Sequence, residues 1–289
     1  MKELVIISGK GGTGKTSIVA SFASLAKNKV IVDADVDAAD LHLVIPHSVK
    51  RAEDFQGGHT AIIDADICTG CGECKERCQF DAITDDFVVD KISCEGCSVC
   101  VHFCPADAIQ FPKRTCGRWF ISDTEHGPMV HARLGIAEEN SGLLVSLLRR
   151  EAKEIAENQG LETIIIDGSP GIGCPVIASV TGSNTVLIVT EPTMSGMHDM
   201  DRIKRLADFL KVPAMVCINK YDINMDITSQ IEAFGNSHNL KIAGLVPYDK
   251  DVTSAMVAQK SLVEFSKGEA ATAVRNLWNE VEDFMSSLK

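Results

Sequence analysis

The feature that most restricts the fold is a run of glycines held between two apolar segments. Leu4 to Ile7 is a short apolar, β-branched run that ends in Ser8-Gly9-Lys10-Gly11-Gly12-Thr13-Gly14-Lys15-Thr16, and a helix-like segment follows from Ser17 to Lys27. The order is strand, glycine loop, helix. Val30 to Val32 gives a second buried strand, and the runs Thr163 to Ile166, Val186 to Val189, Ala214 to Ile218 and Ile242 to Val246 alternate with amphipathic stretches such as 198–211 and 268–288. Buried strands without polar alternation, separated by helices, predict an α/β fold with a mostly parallel, doubly wound sheet covered on both faces.

From Gly9 onward the loop fits the P-loop pattern G-x-x-x-x-G-K-[ST]. In such a loop backbone N–H groups converge on phosphate oxygens and the following helix adds its N-terminal partial charge. Lys15 would neutralise the β/γ phosphates, and the Thr16 hydroxyl is placed for Mg²⁺. Gly11, Gly12, Thr13, Gly14, Lys15, Thr16 and Ser17 are the expected nucleotide-binding residues. Asp33-Ala34-Asp35-Val36-Asp37 directly follows the second strand, and Ile164-Ile165-Ile166-Asp167-Gly168-Ser169-Pro170-Gly171 ends a later one. An aspartate at the carboxyl end of a buried strand can hold a metal shell, and the glycines beside Asp167 permit a loop that responds to γ-phosphate. Asp37 and Asp40 read as a solvated acidic loop. Asn219-Lys220-Tyr221-Asp222 and Pro247-Tyr248-Asp249 follow two further strands. Asn-Lys-x-Asp is also a guanine-reading pattern, so these residues alone leave ATP and GTP open.

The strand–helix alternation fails between about Pro46 and Pro112, where eight of the eleven cysteines gather. Cys68, Cys71, Cys74 and Cys78, and then Cys94, Cys97, Cys100 and Cys104 followed by Pro105, are two copies of the bacterial ferredoxin run C-x2-C-x2-C-x3-C, whose fourth cysteine ligates the other cluster. The predicted sets are Cys68, Cys71, Cys74 and Cys104 for one [4Fe–4S], and Cys78, Cys94, Cys97 and Cys100 for the other. Zinc is the alternative that paired CxxC units allow. An internal repeat supports a duplicated half-module: Gly70, Cys71, Cys78, Asp81, Ala82 and Ile83 recur 26 positions later as Gly96, Cys97, Cys104, Asp107, Ala108 and Ile109. The strand series resumes after residue 160, so the module is an insertion. The expected division is a P-loop domain over 1–55 and 114–289, with a ferredoxin-like α+β domain at 56–113. Residues 60–113 carry ten Asp/Glu against four Lys/Arg, half of the chain's net −12, so a docking partner of this module should be basic.

Lys10-Gly11-Gly12-Thr13-Gly14-Lys15-Thr16 resembles the deviant Walker A motif of the MinD/ParA/Mrp-type ATPases and the nitrogenase iron protein. The resemblance continues through Asp33-Ala34-Asp35, similar to the family's DxD motif. It implies that Lys10 contacts nucleotide across a dimer interface, that Asp35 orients the attacking water, and that Asp33 and Asp167 support Mg²⁺. It also implies that Asn219 meets adenine with Pro247 bordering the base, so that ATP is favoured over GTP, and that the chain pairs with itself or with a related ATPase. The family more often has a second proline where Ser169 stands. Taken whole, the chain resembles MinD-superfamily ATPases with an inserted ferredoxin domain, apart from Gln79, where a proline would match Pro105. The return segment from Trp119 to Gly142 belongs to that resemblance without a derived mechanism.

The remaining chemistry is less directive. Cys217 lies in an apolar strand and reads as a small buried hydrophobe. Cys174 lacks a CxxC partner and reads as structural. His126 and His131 are candidate ligands by residue type, but as lone histidines in a mixed loop they read as surface groups. A composition of 45% hydrophobic and 24% charged residues is that of a globular chain with an ample core. The acidic balance argues against nucleic acid or an acidic membrane surface, and clustered cysteines without an export signal point to the cytoplasm. Three functions follow. The first is an ATPase coupling nucleotide state to electron transfer through the clusters, with an unidentified redox or metal-cluster protein as partner. The second is a cluster assembly or carrier protein, and the third a MinD/ParA-like spatial organiser. The organiser would want a membrane-binding C-terminal helix, and residues 278–289 are short and acidic for that role.

Overall fold

The computed structural model describes residues 1–135 and 141–288, so that part of the return segment, 136–140, lies outside the described residues. The chain forms two compact units. The first comprises residues 1–52, 119–133 and 141 onward, and the second is built chiefly from residues 53–118. Eleven strands are present among the described residues: β1 (Lys2–Ser8), β2 (Lys29–Ala34), β3 (His47–His59), β4 (Ile62–Ile63), β5 (Ile109–Gln110), β6 (Lys113–Thr124), β7 (Gly127–Leu134), β8 (Thr163–Gly168), β9 (Thr185–Thr190), β10 (Ala214–Asn219) and β11 (Lys241–Val246). Nine of them form one sheet in the order β11-β10-β9-β1-β8-β2-β7-β6-β3. β3 and β6 carry the chain across the boundary between the units.

The pairings from β11 to β7 are all parallel. Continuous apolar runs such as Leu4–Ile7 and Ile164–Ile166 are buried on both faces, as parallel strands require. Register brings the strand ends together. β2 and β8 pair so that Asp33 faces Asp167, while β2 and β7 pair so that Asp33 faces His131. One face of the sheet is covered by the helix Lys15–Leu25 and by the helix Glu269–Ser287. The latter buries Ala270, Ala271, Val274, Leu277, Trp278, Val281 and Met285, the 3–4 spacing of an amphipathic stripe. Phe22 and Trp278 lock the two helices, with ring centroids 4.9 Å apart. Cys217 is fully buried in β10, and burial pushes its thiol up to about 12.

In the second unit, β4 and β5 pair antiparallel, with Ile62 opposite Gln110. Ala61, Cys74, Ile83 and Ile109 form its small core, with Cys78, Cys94, Cys100 and Cys104 packed against it. The sequence repeat is reproduced in the backbone. Gly70 and Gly96 have φ of 68° and 62°, and Asp81 and Asp107 both have φ of 50°. Gly72 and Ser98 share the left-handed region at 82° and 64°, so the second copy places a serine where the first uses glycine.

The return segment is a hairpin of β6 and β7, and this changes the status of its histidines. His131 is not a surface group: it is buried in β7, 2.9 Å from the Ser122 hydroxyl and stacked on His42 and Phe120. Burial, with the neighbouring His47 and His42, lowers its pKa to about 4. His131 therefore stays neutral in the fold while an unfolded histidine gains a proton near pH 6.5. Its contribution to stability is present above that pH and is lost as pH falls from about 6.5 to 4. His131→Asn should flatten this part of the stability–pH curve, measured by urea unfolding between pH 7 and 4. An unchanged slope would remove His131 as its source.

Candidate functional site

Every element of the P-loop site emerges from the carboxyl ends of the parallel strands, where loops cross from sheet to helix. Gly12 and Gly14 sit at φ of 80° and 87°, conformations that other residues adopt at a cost, and these let the loop wrap toward its helix. A cavity of about 410 Å³ opens over it, lined by Gly11, Gly12, Thr13, Gly14, Lys15, Thr16 and Ser17, with Asp35, Asn219 and Pro247. Asp40 also lines it although the Asp37–Asp40 loop is exposed at both acids.

Lys15 is buried, with its ammonium 2.5 Å from Asp167 Oδ1 and 3.2 Å from Asp35 Oδ2. Burial alone would lower its pKa, but Asp167 and Asp35 more than offset this and raise it. Burial raises the Asp35 carboxyl, against the pull of Lys15, and raises Asp33 well above the usual range, reinforced by the Asp167 charge. Asp33 spends its oxygens on the backbone: Oδ1 accepts from Asp35 N at 3.2 Å and Oδ2 from Leu41 N at 3.1 Å. It fixes the loop after β2 from behind the cavity. Asp167 Oδ2 is buried without a hydrogen-bond partner. An orphaned carboxylate oxygen beside the Thr16 loop suits a hard cation such as Mg²⁺, which takes oxygen ligands. Ser169 Oγ donates to Ala34 O at 3.0 Å, and Gly171 N donates to Ser8 O at 2.8 Å, tying the loop after β8 to both β2 and the P-loop strand.

Lys10 stands at the rim, 3.3 Å from Glu191 Oε2, while Lys220 reaches Glu191 Oε1 at 2.5 Å and Gly12 O at 3.1 Å. Burial would raise the Glu191 carboxyl, but Lys220 and Lys10 hold it below the usual range. Asn219 is buried, and its Nδ2 donates to Thr13 O at 2.7 Å.

In the second unit, one hollow is lined by Cys68, Cys71, Cys74 and Cys104, and another by Cys78, Cys94, Cys97 and Cys100. All eleven cysteines are free thiols. Among the described residues no three of these sulfurs come within 4.8 Å of one another. Each hollow offers four thiols, the donor set of a cysteine-ligated cluster.

A family model described as the CobQ/CobB/MinD/ParA nucleotide binding domain matches residues 4–262. The chain belongs to that family. An uncharacterised protein of Methanocaldococcus jannaschii is 34% identical over 288 residues, covering 98% of this chain and 97% of its own length. Among solved structures, the cell division ATPase MinD of Pyrococcus furiosus matches with a TM-score of 0.60 at 16% identity, covering 98% of this chain and 99% of that one. The septum site-determining protein MinD of Pyrococcus horikoshii, complexed with Mg-ADP, matches with a TM-score of 0.58 at 16% identity, covering 98% and 96%. The fold is thus an α/β fold with a large, mostly parallel sheet like that of MinD.

Within this CobQ/CobB/MinD/ParA frame, several cavity residues carry no sequence motif. Val252, Thr253 and Met256, all from the helix Asp251–Val257, also line the cavity, and Met256 Sδ accepts from Ser17 Oγ at 3.7 Å. Glu191 was missed too, although it lies just past the end of buried β9, whereas Asp167 lies within the last residues of β8. Cys174 is exposed at the start of the helix Cys174–Val180.

Asn219 generates a prediction. Its amide satisfies a buried carbonyl of the P-loop, and a Cβ on Gly14 would meet Asn219 Nδ2 at 2.3 Å, so loop and strand are in close contact. Asn219→Ala orphans the Thr13 carbonyl and should cost about 1–3 kcal/mol of stability. The check is a lower urea midpoint at unchanged m-value, with weaker nucleotide binding. Wild-type stability in the variant would refute the strut.

Proposed function

We propose that this chain is a Mg²⁺-dependent ATPase, working as a homodimer or with a related ATPase, whose nucleotide state governs two [4Fe–4S] clusters used for electron transfer. The observation that carries the reading is the sorting of eight cysteines into two separate sets of four, Cys68, Cys71, Cys74 and Cys104 around one hollow and Cys78, Cys94, Cys97 and Cys100 around the other. Such clusters, when bound, supply low-potential one-electron transfer. Fully cysteine-ligated cubanes are retained, which favours electron transfer over cluster delivery.

The chain's own residues provide the switch. Phosphate arriving at the loop competes with Asp35 and Asp167 for Lys15. Transfer of that lysine to the phosphates frees Asp35 to orient the attacking water and leaves Thr16 and Asp167, with Asp33 behind them, as holders of Mg²⁺. Lys10 would leave Glu191 to reach nucleotide bound by the second subunit. Asp222 Oδ1 accepts from Tyr248 N at 2.7 Å, which occupies the carboxylate that a guanine reader would turn to the base and supports ATP. Coupling follows from connectivity. The chain leaves the nucleotide unit downstream of Asp35 and returns through β6 into β7, whose His131 pairs in register with Asp33.

A MinD/ParA-like organiser is the second reading, favoured by the fold shared with the cell division ATPase MinD. In this chain the helix Glu269–Ser287 spends its apolar stripe on the core, which leaves that stripe unavailable as a membrane anchor.

Anaerobically prepared protein should contain about eight iron and eight sulfide per chain. Cys78→Ala should disturb mainly the cluster held by Cys94, Cys97 and Cys100, followed by EPR. Stoichiometric zinc without sulfide would sink the cluster assignment.

Cluster potentials should also respond to nucleotide. Redox titration without nucleotide, with ADP and with a non-hydrolysable ATP analogue should separate the states, and Lys15→Ala should abolish the difference. A shift of about 60 mV corresponds to about tenfold in nucleotide affinity between oxidised and reduced protein. Clusters present with identical potentials in all states would favour the organiser.

A further inference from the structure

Away from the P-loop and the cysteines, three metal-binding side chains converge within the nucleotide unit. Glu125 and His126 form the tip of the β6–β7 hairpin, and Glu264 lies in the helical turn Leu262–Phe265. His126 Nε2 is 3.4 Å from Glu264 Oε1 and 3.6 Å from Glu125 Oε1, and the three donor atoms all fall within 4.8 Å of one another. These are the separations of ligands on one ion, since metal–donor bonds of about 2.0–2.2 Å put tetrahedral neighbours roughly 3.3–3.6 Å apart.

Glu264 and the backbone of the hairpin tip are held from outside, as the supports of metal ligands characteristically are, while the Glu125 carboxylate is exposed. Glu264 Oε2 accepts from Ser261 N at 3.1 Å and from Ser261 Oγ at 2.6 Å, a capping box that leaves Oε1 turned to the imidazole. The hairpin tip is fixed by His126 N donating to Thr124 Oγ1 at 3.0 Å and by Thr124 Oγ1 donating to Gly127 O at 2.7 Å. Ser24, at the end of the P-loop helix, is 3.3 Å from His126 Nε2 and donates to Ser261 Oγ at 2.8 Å. The imidazole is only 12% exposed, so it is not a freely moving surface group.

We propose that Glu125, His126 and Glu264 bind a divalent transition-metal ion, Zn²⁺ by their donor set, with water completing its coordination. One imidazole and two carboxylates are borderline donors that suit zinc better than magnesium, which favours all-oxygen octahedral shells. The ion joins the hairpin tip to the turn that precedes the C-terminal helix, beside the end of the P-loop helix. Because it binds the folded chain, it stabilises the nucleotide unit by mass action. This inference rests on the proposed clusters only in that they keep the eight cysteines from competing for zinc in its test.

The test is calorimetric titration of the full, cluster-loaded chain with ZnCl₂, MnCl₂ and MgCl₂ in the absence of nucleotide, on wild type, His126→Ala and Glu264→Gln. Glutamine retains the capping box while removing the anionic ligand, so Glu264→Gln controls for folding. The expected result is one Zn²⁺ per wild-type chain with little response to Mg²⁺, affinity reduced about tenfold or more in both variants, and a zinc-dependent rise in melting temperature in wild type alone. Equal zinc binding by wild type and both variants would place the zinc elsewhere and overturn the site. No zinc binding by wild type would leave His126 as an ion-pair partner only, which also overturns it.

Discussion

The nucleotide unit is organised around one buried ammonium group among carboxylates. Lys15 sits between Asp167 and Asp35, with Asp33 close behind, and none of these charges could be buried alone. Their meeting is a consequence of sheet register. Because β2 and β8 run parallel with Asp33 opposite Asp167, two strand ends present their acids side by side, and the helix that begins at Lys15 delivers the countercharge. The arrangement holds more carboxylate than cation, and Asp167 Oδ2 is left without a hydrogen-bond partner.

Much of this was legible in the sequence because the physics leaves a strong imprint there. Strands buried on both faces must be continuously apolar, which is why Leu4–Ile7, Val30–Val32 and Val186–Val189 read as strands without ambiguity. The glycine loop was legible because phosphate binding demands particular backbone freedom. β3 left no such trace. His47–His59 is exposed along most of its length, and its strand state comes from its neighbour β6 in the sheet rather than from its own composition. His131 was misjudged for the same reason: its burial depends on a hairpin whose strands show no clear alternation. The grouping of His126, a candidate ligand by residue type, with Glu125 and Glu264 was beyond reach, since only tertiary structure brings a hairpin tip to a turn so distant in sequence.

The two units solve the problem of stability differently. The nucleotide unit has a broad apolar core beneath its sheet, in which Phe22, Met129, Ile165 and Trp278 take part. Among the described residues the cysteine unit's core cluster is small, Ala61, Cys74, Ile83 and Ile109, with Ile63, Phe87, Val89, Val101, Phe111 and four cysteines packed against it. Small domains of that kind generally need covalent or metal cross-links to hold their shape. Its repeated left-handed positions at Gly70 and Gly96, and at Asp81 and Asp107, place turns at matching points in the two halves.

The packing of the helix Glu269–Ser287 against the P-loop helix carries a consequence for how the nucleotide unit assembles. The apolar stripe that covers the first βα unit includes Val274, Leu277, Trp278 and Val281, far from it in sequence. Contacts of such separation form slowly, and until they do the apolar back of the P-loop helix is open to solvent and to other chains. The insert lies between these partners in chain order, so the two helices that close the core beneath the sheet must find each other across it.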